Sequence, residues 1–223
     1  MEWFYRSGVW VTVATLRVLA RWEVTGRENV PAQGSLIVAA NHASYIDPPL
    51  LVASVSRRVR FLAHEGLFQH PLVGLVVRGA DALRVERESR VSSGARRAIR
   101  ELRKGSAIGL FPEGHRNLDG VLGQGKPGIA YVALKTGASV LPVGIAGSHR
   151  VQKLTDALKR PHLVVKIGTP LALHIGARRP EREQLDAFTE QVMREIAGLL
   201  PTAQRGIYQG VPGESIVIGH GSR

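Results

Sequence analysis

The sequence predicts an α/β fold, a single domain with a mixed, largely parallel sheet that is flanked by helices. Two observations predict it. Short, continuously apolar runs at 36–40 and 107–110 are typical of strands that are covered on both faces. Segments with apolar residues at helical spacing alternate with such runs along the chain, which is the order expected of an α/β domain. There is no internal repeat, and a chain of 223 residues is long enough for one sizeable core.

The N-terminal segment, residues 1–25, is predicted to be a helix that lies in a membrane interface. The apolar stretch between Arg6 and Arg17 is too short for a spanning helix, which needs roughly 20 apolar residues. On a helical wheel Trp3 and Trp10 fall on the same side as these arginines, a pattern typical of interfacial helices. The alternative is a helix that packs on its own domain.

The elements of the central domain, predicted to cover 26–200, follow in order. Strands are predicted at 36–40, 59–63, 82–85, 107–110, 139–145 and 162–167, and helices from 47, over about 91–104, over 129–134 and from about 181 to 200. Residues 201–223 contain many glycines and little periodicity, so they are predicted to be an irregular tail.

Composition restricts the partners and the chemistry. The balance of 30 Lys+Arg against 18 Asp+Glu gives a formal charge of +12, which predicts an anionic partner. Only 5% of residues are aromatic and none are interleaved with a basic run, so no nucleic-acid partner is expected. The absence of cysteine excludes thiolate catalysis, and the histidines lack metal-ligand spacing, so neither a metal nor another cofactor is predicted.

The turn after the first predicted strand carries the most information. His42 lies on this turn, and Asp47 begins the next helix with two prolines behind it, as suits a helix N-terminus. A carboxylate placed there can hold the imidazole, which gives a base with its orienting group. Taken alone, Asp47 is more often a helix cap, and His42 could be a turn histidine bonded to backbone.

A second charged cluster, residues 111–116, follows another short apolar run. The carboxyl ends of parallel strands meet at one edge of a sheet, where open α/β folds bind ligands. We therefore expect both clusters to line one cleft.

These residues resemble the 1-acylglycerol-3-phosphate acyltransferases, members of the wider glycerolipid acyltransferase family with an Asn-His-x4-Asp signature. Residues 41–47 resemble the first block of that family. Residues 111–116 are similar to the third block, 140–145 to the fourth, and 126–128 to the pattern between those two. The resemblance runs from about 25 to 148.

Two features depart from the family pattern. His115 stands where threonine is common. The second block, normally a glycine, an apolar pair and an arginine close together, is stretched over 79–87. It offers two arginines: Arg87 is preferred because it ends a run similar to the family's usual one, and Arg84 is the alternative.

The resemblance implies transfer of a fatty acyl group from acyl-CoA, or acyl carrier protein, to the free hydroxyl of 1-acyl-sn-glycerol-3-phosphate. The product is phosphatidic acid, in phospholipid biosynthesis. His42 is expected to be the general base, because imidazole titrates near working pH, and Asp47 to fix its tautomer. The substrate's hydroxyl is the nucleophile, in keeping with the absence of a Gly-x-Ser-x-Gly elbow.

Five further residues are expected to bind substrate. Arg116 and Arg87 would clamp the acceptor's phosphate, because a planar guanidinium matches phosphate geometry. Glu113 would orient Arg116 or bond a substrate hydroxyl, and a plain surface ion pair of these two is the alternative. Gly114 would permit close backbone approach. Lys126 would contact phosphate, or it is a solvated lysine before a helix.

The expected partners are lysophosphatidic acid, the acyl donor and an anionic membrane surface. The chain would attach peripherally or monotopically to the cytoplasmic face of the cell membrane. One alternative is the same chemistry on another lysophospholipid or a glycolipid. A more distant alternative is a non-catalytic basic lipid-binding protein.

Overall fold

The computed structural model describes residues 2–70, 74, 77–85, 92–172 and 181–210. Within these residues the strands are β1 (Arg21–Thr25), β2 (Leu36–Ala40), β3 (Val59–His64), β4 (Leu83–Val85), β5 (Ala107–Leu110), β6 (Ser139–Ala146) and β7 (His162–Ile167). The α-helices are α1 (Glu2–Leu19), α2 (Asp47–Ser54), α3 (Glu65–Gln69), α4 (Ser92–Leu102), α5 (Gly128–Thr136) and α6 (Arg182–Gly198).

The strands form one mixed sheet in the order β1-β7-β6-β2-β5-β3-β4. Every pair of neighbours is parallel except β6 and β7, which are antiparallel. The prediction of a largely parallel mixed sheet is therefore confirmed. The carboxyl ends of β2 and β5 lie side by side, since Leu36 pairs with Ala107 and Ala39 with Leu110, and this brings the two predicted clusters to one edge.

Helices cover both faces of the sheet. The side chains of β2 alternate between two cores: Ile37 and Ala39 pack with α4, α5 and α6, whereas Val38 and Ala40 pack on the side of α1 and α2. All five residues of β2 are buried, which explains why this strand is continuously apolar.

The predicted boundary at residue 25 is wrong, because α1 ends at Leu19 and Arg21–Thr25 form strand β1. This strand pairs in parallel with β7 at the edge of the sheet. Its exposed residues, Arg21, Glu23 and Thr25, alternate with half-buried ones. An edge strand with a polar face lacks the continuous apolar run by which the central strands were predicted.

The tail predicted from residue 201 is wrong for its first ten residues. Short 3₁₀ turns at Thr202–Gln204 and Gly206–Tyr208 follow α6, and Gln204, Arg205 and Tyr208 are buried. These contacts are tertiary, so local periodicity does not reveal them. The rest of the predicted tail, 211–223, lies outside the described residues.

One face of α1 packs on the domain. Tyr5 is buried there, and its hydroxyl accepts a hydrogen bond of 3.3 Å from the Val59 amide. The other face exposes Trp3 and Trp10. The alternative prediction, that this helix packs on its own domain, is thus correct for one face. Among the described residues, no helix is both long and apolar enough to cross a membrane.

Candidate active site

The turn that joins β2 to α2 places His42 against Asp47. The Asp47 carboxylate is fully buried, and its Oδ2 lies 2.8 Å from His42 Nδ1. The same oxygen accepts hydrogen bonds from the Ala43 and Ser44 amides, at 2.7 and 2.8 Å. The carboxylate therefore turns back toward the loop before its own helix, and the interpretation of Asp47 as a helix cap is wrong.

These contacts decide which ring nitrogen of His42 can accept a proton. An ionised carboxylate only accepts hydrogen bonds, so Nδ1 carries the proton and Nε2 has its lone pair free for a proton transfer. The His42 side chain is 16% exposed. The Phe111 ring stacks on the imidazole at a centroid distance of 3.9 Å and an angle of 13°, so the plane of the ring is fixed as well. The stacking joins residues 69 positions apart and has no local signature in the sequence.

The backbone of His42 is held from both sides by the loop after β5. Its amide donates to Glu113 Oε1 at 2.9 Å, and its carbonyl accepts from the Asn117 amide at 2.8 Å. Asn41, one residue earlier, exchanges two hydrogen bonds of 2.8 and 2.7 Å with the backbone of Ile145. A side-chain amide thus continues the ladder between β2 and β6 by one more rung.

Glu113 has a different place from the one predicted. The side chain is 1% exposed, and its oxygens accept from the amides of His42 and Gly123 and from the side chain of Asn117. Burial raises the pKa of Glu113, against the hydrogen bonds from Gly123, His42 and Asn117 that lower it. Glu113 therefore ties the loop to the turn that bears His42, and the prediction that it orients Arg116 or pairs with it is wrong. One of its three partners, His42, is 71 residues away, which local spacing cannot show.

Three of the predicted substrate-binding residues border one another on the loop after β5. Arg116 lies over the ring of Tyr45 with its Cζ 3.4 Å from the centroid. Gly114 has a φ of +73°, and a Cβ built there would come within 2.8 Å of Lys126 Nζ. The positive φ favours a glycine here, whereas the Lys126 ammonium group lies at the end of a flexible side chain that can move. Arg116 and Lys126 are thus carried by the loop after β5, at the same edge of the sheet as His42.

The two candidate arginines of the second block differ in what the structure records. Arg84 lies on β4, is exposed, and pairs with Glu65 at 3.5 Å while stacking over Phe68. Strand β4 is separated from β2 by two strands, so its backbone is roughly 14 Å away. Arg87 lies outside the described residues.

The cleft carries further polar side chains. His115 is exposed, and its Nδ1 lies 3.0 Å from the Glu113 carbonyl. Gln152 donates to the carbonyls of Ala43 and His149, which ties the turn after β6 to the turn that bears His42. In the described part of the chain no group of three or more His, Cys, Asp or Glu side chains is arranged to hold a metal ion.

Comparison with known proteins points to one family. The family model described as Acyltransferase matches residues 21–146. The chain is 28% identical over 178 residues to a 1-acyl-sn-glycerol-3-phosphate acyltransferase of Bacillus subtilis, covering 79% of this chain and 87% of the relative. It is 38% identical over 122 residues to one of Borreliella burgdorferi, covering 54% of this chain and 49% of the relative. The chain thus spans about half the length of the second relative.

A solved structure is also similar. The crystal structure of the 1-acyl-sn-glycerophosphate acyltransferase PlsC from Thermotoga maritima superposes with a TM-score of 0.68 at 29% identity. The match covers 84% of this chain and 76% of the other. The segment 21–146 that the family model matches includes both clusters of site residues described above.

Proposed function

The chain belongs to the acyltransferase family, and we propose that it acylates the free hydroxyl of 1-acyl-sn-glycerol-3-phosphate. The donor is a fatty acyl thioester, acyl-CoA or acyl carrier protein, and the product is phosphatidic acid for phospholipid synthesis. The names of the similar proteins support this acceptor.

One observation carries the proposal, the His42–Asp47 pair at the carboxyl edge of the sheet. It is a base with a buried orienting acid, and a reaction whose nucleophile is a substrate hydroxyl needs no more from the protein for proton transfer. Tight backbone contacts on both sides of His42 keep the imidazole in one place.

The reaction follows from this geometry. The acceptor hydroxyl attacks the thioester carbonyl while His42 Nε2 takes its proton. The buried Asp47 carboxylate stabilises the imidazolium that forms, and the carbonyl oxygen becomes an oxyanion. The tetrahedral intermediate then collapses: the C–S bond breaks, the imidazolium returns its proton to the leaving thiolate, and a free thiol and the ester are released.

The acceptor's phosphate is proposed to bind at Arg116 and Lys126. Tyr45 covers one face of the Arg116 guanidinium, which leaves the N–H edges directed away from the ring and suited to a phosphate. Lys126 adds a second cation next to Gly114, which has no side chain. Arg87 remains the preferred third cation from the second block.

The test is thiol release from oleoyl-CoA in the presence of lysophosphatidic acid, comparing the wild type with His42→Ala. The protein contains no cysteine, so it adds no thiol background. We expect acceptor-dependent release that falls by roughly 10²- to 10⁴-fold in the variant. Equal rates in both proteins would show that His42 is not the base.

A panel of acceptors tests the choice of substrate. Lysophosphatidic acid should be used better than lysophospholipids with larger head groups or glycolipids, because the proposed clamp binds a terminal phosphate. Equal use of an acceptor without phosphate would favour the alternative, the same chemistry on another lipid.

We also propose that the exposed face of α1 attaches the protein to the cytoplasmic surface of the cell membrane. Trp3 and Trp10 are 77% and 69% exposed, and interfacial tryptophans suit that setting. The test is sedimentation with vesicles that contain anionic lipid. The double replacement of both tryptophans by alanine should reduce the bound fraction, whereas Ile207→Ala, at a residue 72% exposed on the C-terminal segment, should not.

A further inference from the structure

We propose that Gln204 is a positioning residue for the catalytic histidine, acting through residues 117–123 of the loop after β5. Gln204 lies outside the segment 21–146 that matches the family model and in the stretch that the sequence predicted to be a tail. Its side chain is nevertheless 6% exposed. A buried side-chain amide is expected to have hydrogen-bond partners, and these partners indicate its role.

Gln204 binds the loop at two points and a neighbouring turn at a third. Its carbonyl accepts from the Leu122 amide at 2.8 Å, and its Nε2 donates to the Gly120 carbonyl at 3.0 Å. Nε2 also lies 3.1 Å from Nδ1 of His149. The loop is therefore attached to the turn Thr202–Gln204 by both the backbone and the side chain of Gln204.

The packing around these bonds leaves no room for displacement. Gly120 has a φ of +78°, and a Cβ there would come within 2.5 Å of the His149 ring. Gly206 has a φ of +56°, and a Cβ there would overlap the Leu122 carbonyl. Backbones packed this closely move together, so the C-terminal turn and the loop behave as one body.

Two further hydrogen bonds connect the loop to the base. The Gly120 amide donates to the Asn117 carbonyl at 3.0 Å, and the Asn117 amide donates to the His42 carbonyl at 2.8 Å. The Asn117 side chain also bonds Glu113, which accepts from the His42 amide. The path from Gln204 to His42 therefore has three hydrogen bonds, at Gly120, Asn117 and His42.

The loop needs such a support because it has little structure of its own. Residues 111–127 contain neither helix nor strand, and long irregular loops sample several conformations unless tertiary contacts hold them. A general base works only within hydrogen-bond reach of the proton it takes, and a misplacement of about 1 Å costs roughly 10²-fold in rate. We therefore expect a residue that holds this loop in place to raise the rate of proton transfer.

The kinetic test, which rests on the proposed function, compares Gln204→Met with the wild type. Methionine keeps the length of the side chain and removes both N–H donors. We expect kcat per folded protein to fall by roughly 10- to 100-fold. KM for the donor and the acceptor should change by only about twofold, because Arg116 keeps its contact with Tyr45 and Lys126 its contact with Gly114, outside the residues 117–123 that Gln204 holds. Gln209→Met, at an exposed position of the same segment, is the matched control and should leave kcat unchanged.

A double-variant cycle separates positioning from a general loss of stability. Asn117→Ala removes the side-chain bond from Asn117 to Glu113 and leaves the backbone bonds of Asn117 in place. If Gln204 acts through this loop, combining Gln204→Met with Asn117→Ala should lower kcat by less than the product of the two single effects, because both changes loosen the same loop. Effects that multiply would overturn the proposal. Should Gln204→Met fail to fold, Gln204→Asn, one methylene too short to reach Gly120, takes its place.

A spectroscopic measurement tests the positioning role of Gln204 without any acyl transfer. In protein labelled with ¹⁵N-histidine, the His42 Nδ1–H that donates to Asp47 should give its own signal. Gln204→Met is expected to shift or broaden that signal, and an unchanged signal would overturn the proposal. If the wild type transfers no acyl group, the proposed function fails while this spectrum still tests the positioning.

Discussion

Two loops at the carboxyl edge of the sheet share one site and are built in opposite ways. The loop after β2, residues 41–46, is short, and the buried Asn41 and Ser44 and the half-buried His42 are all tied down by hydrogen bonds. The loop after β5, residues 111–127, is long and carries its cations on exposed or half-exposed side chains. The proposed base sits on the rigid loop, and the groups proposed to bind substrate sit on the accessible one.

The difference reflects what each group has to do. A base must be aligned to a fraction of an ångström when the proton moves. A cation that binds phosphate must first be hydrated and reachable, and its attraction acts over several ångströms. The exposed loop is not free to drift, however, because Glu113 and Asn117 bind it to the backbone of His42.

The largest expected effect comes from the rigid loop. Asp47→Asn should lower kcat by about 10³- to 10⁴-fold, since a neutral amide cannot stabilise the imidazolium, and the same change in a serine-protease triad costs about 10⁴. The assay is thiol release at saturating substrate. Asp186→Asn, a half-exposed aspartate of α6 paired with Arg182, is the control. Full activity in Asp47→Asn would remove the distinction between the two loops.

The next largest effect comes from the accessible loop. Arg116→Ala should raise KM for lysophosphatidic acid by roughly 10- to 100-fold, because a hydrogen bond to a charged group contributes about 1.5–3 kcal/mol, while kcat changes less. Initial rates over a range of acceptor concentrations measure it, and Arg182→Ala, 89% exposed on α6, is the control. A loss confined to kcat would instead place Arg116 with the reacting groups.

A smaller effect is expected where the two loops touch. Tyr45→Leu removes the ring under Arg116, and an exposed cation–π contact contributes about 0.5–1 kcal/mol. KM for the acceptor should therefore rise about two- to fivefold in the same assay. Tyr131→Leu removes a similar contact with Lys135 on α5 and should have no effect. Equal changes in both variants would show that the Tyr45 contact has no particular role.

The smallest expected effect is on how the stability of the protein depends on pH. It concerns His149, whose ring lies against Gly120 of the accessible loop. Burial, and next the charge of Arg150, lower the pKa of His149 from its ordinary 6.5. The folded state thus favours the neutral ring, whose Nδ1 can accept from Gln204. This stabilisation is fully present above pH 6.5 and is lost as the pH falls through the lowered pKa of the folded protein.

The measurement is the free energy of unfolding by urea between pH 7.5 and pH 5 for the wild type and His149→Gln. The advantage of the wild type over the variant should shrink as the pH falls, because only the wild type has the titrating ring. A difference that is constant over this range would contradict the prediction.

Much of the fold could be predicted from local sequence. The bounds of β2, β5 and β7 agree with the predicted strands, since buried strands carry an apolar pattern of their own. Helix α6 is shorter than predicted, and β1 was missed altogether. An edge strand derives its pairing from a partner far along the chain, here β7, and that partner leaves no trace in the local pattern.

The candidate site, like the fold, could be predicted only in part. The residue types and their spacing were enough to pair His42 with Asp47 and to bring both clusters to one edge, because five residues along a turn and the carboxyl ends of parallel strands restrict geometry strongly. The contacts of Glu113, the stacking of Phe111 and the attachment of Gln204 were not predicted. Each depends on a hydrogen bond or ring contact between residues tens of positions apart.

By itself the sequence determined the alternation of strands and helices, the chemical family of the site and the pair proposed to transfer the proton. These follow from short-range patterns, which hydrophobic periodicity and turn chemistry express directly. Only the tertiary structure decided how the base is held, which side of α1 stays exposed, and that the segment after α6 supports the loop. Those depend on which distant surfaces meet, and the free energy of such contacts is not a property of either segment alone.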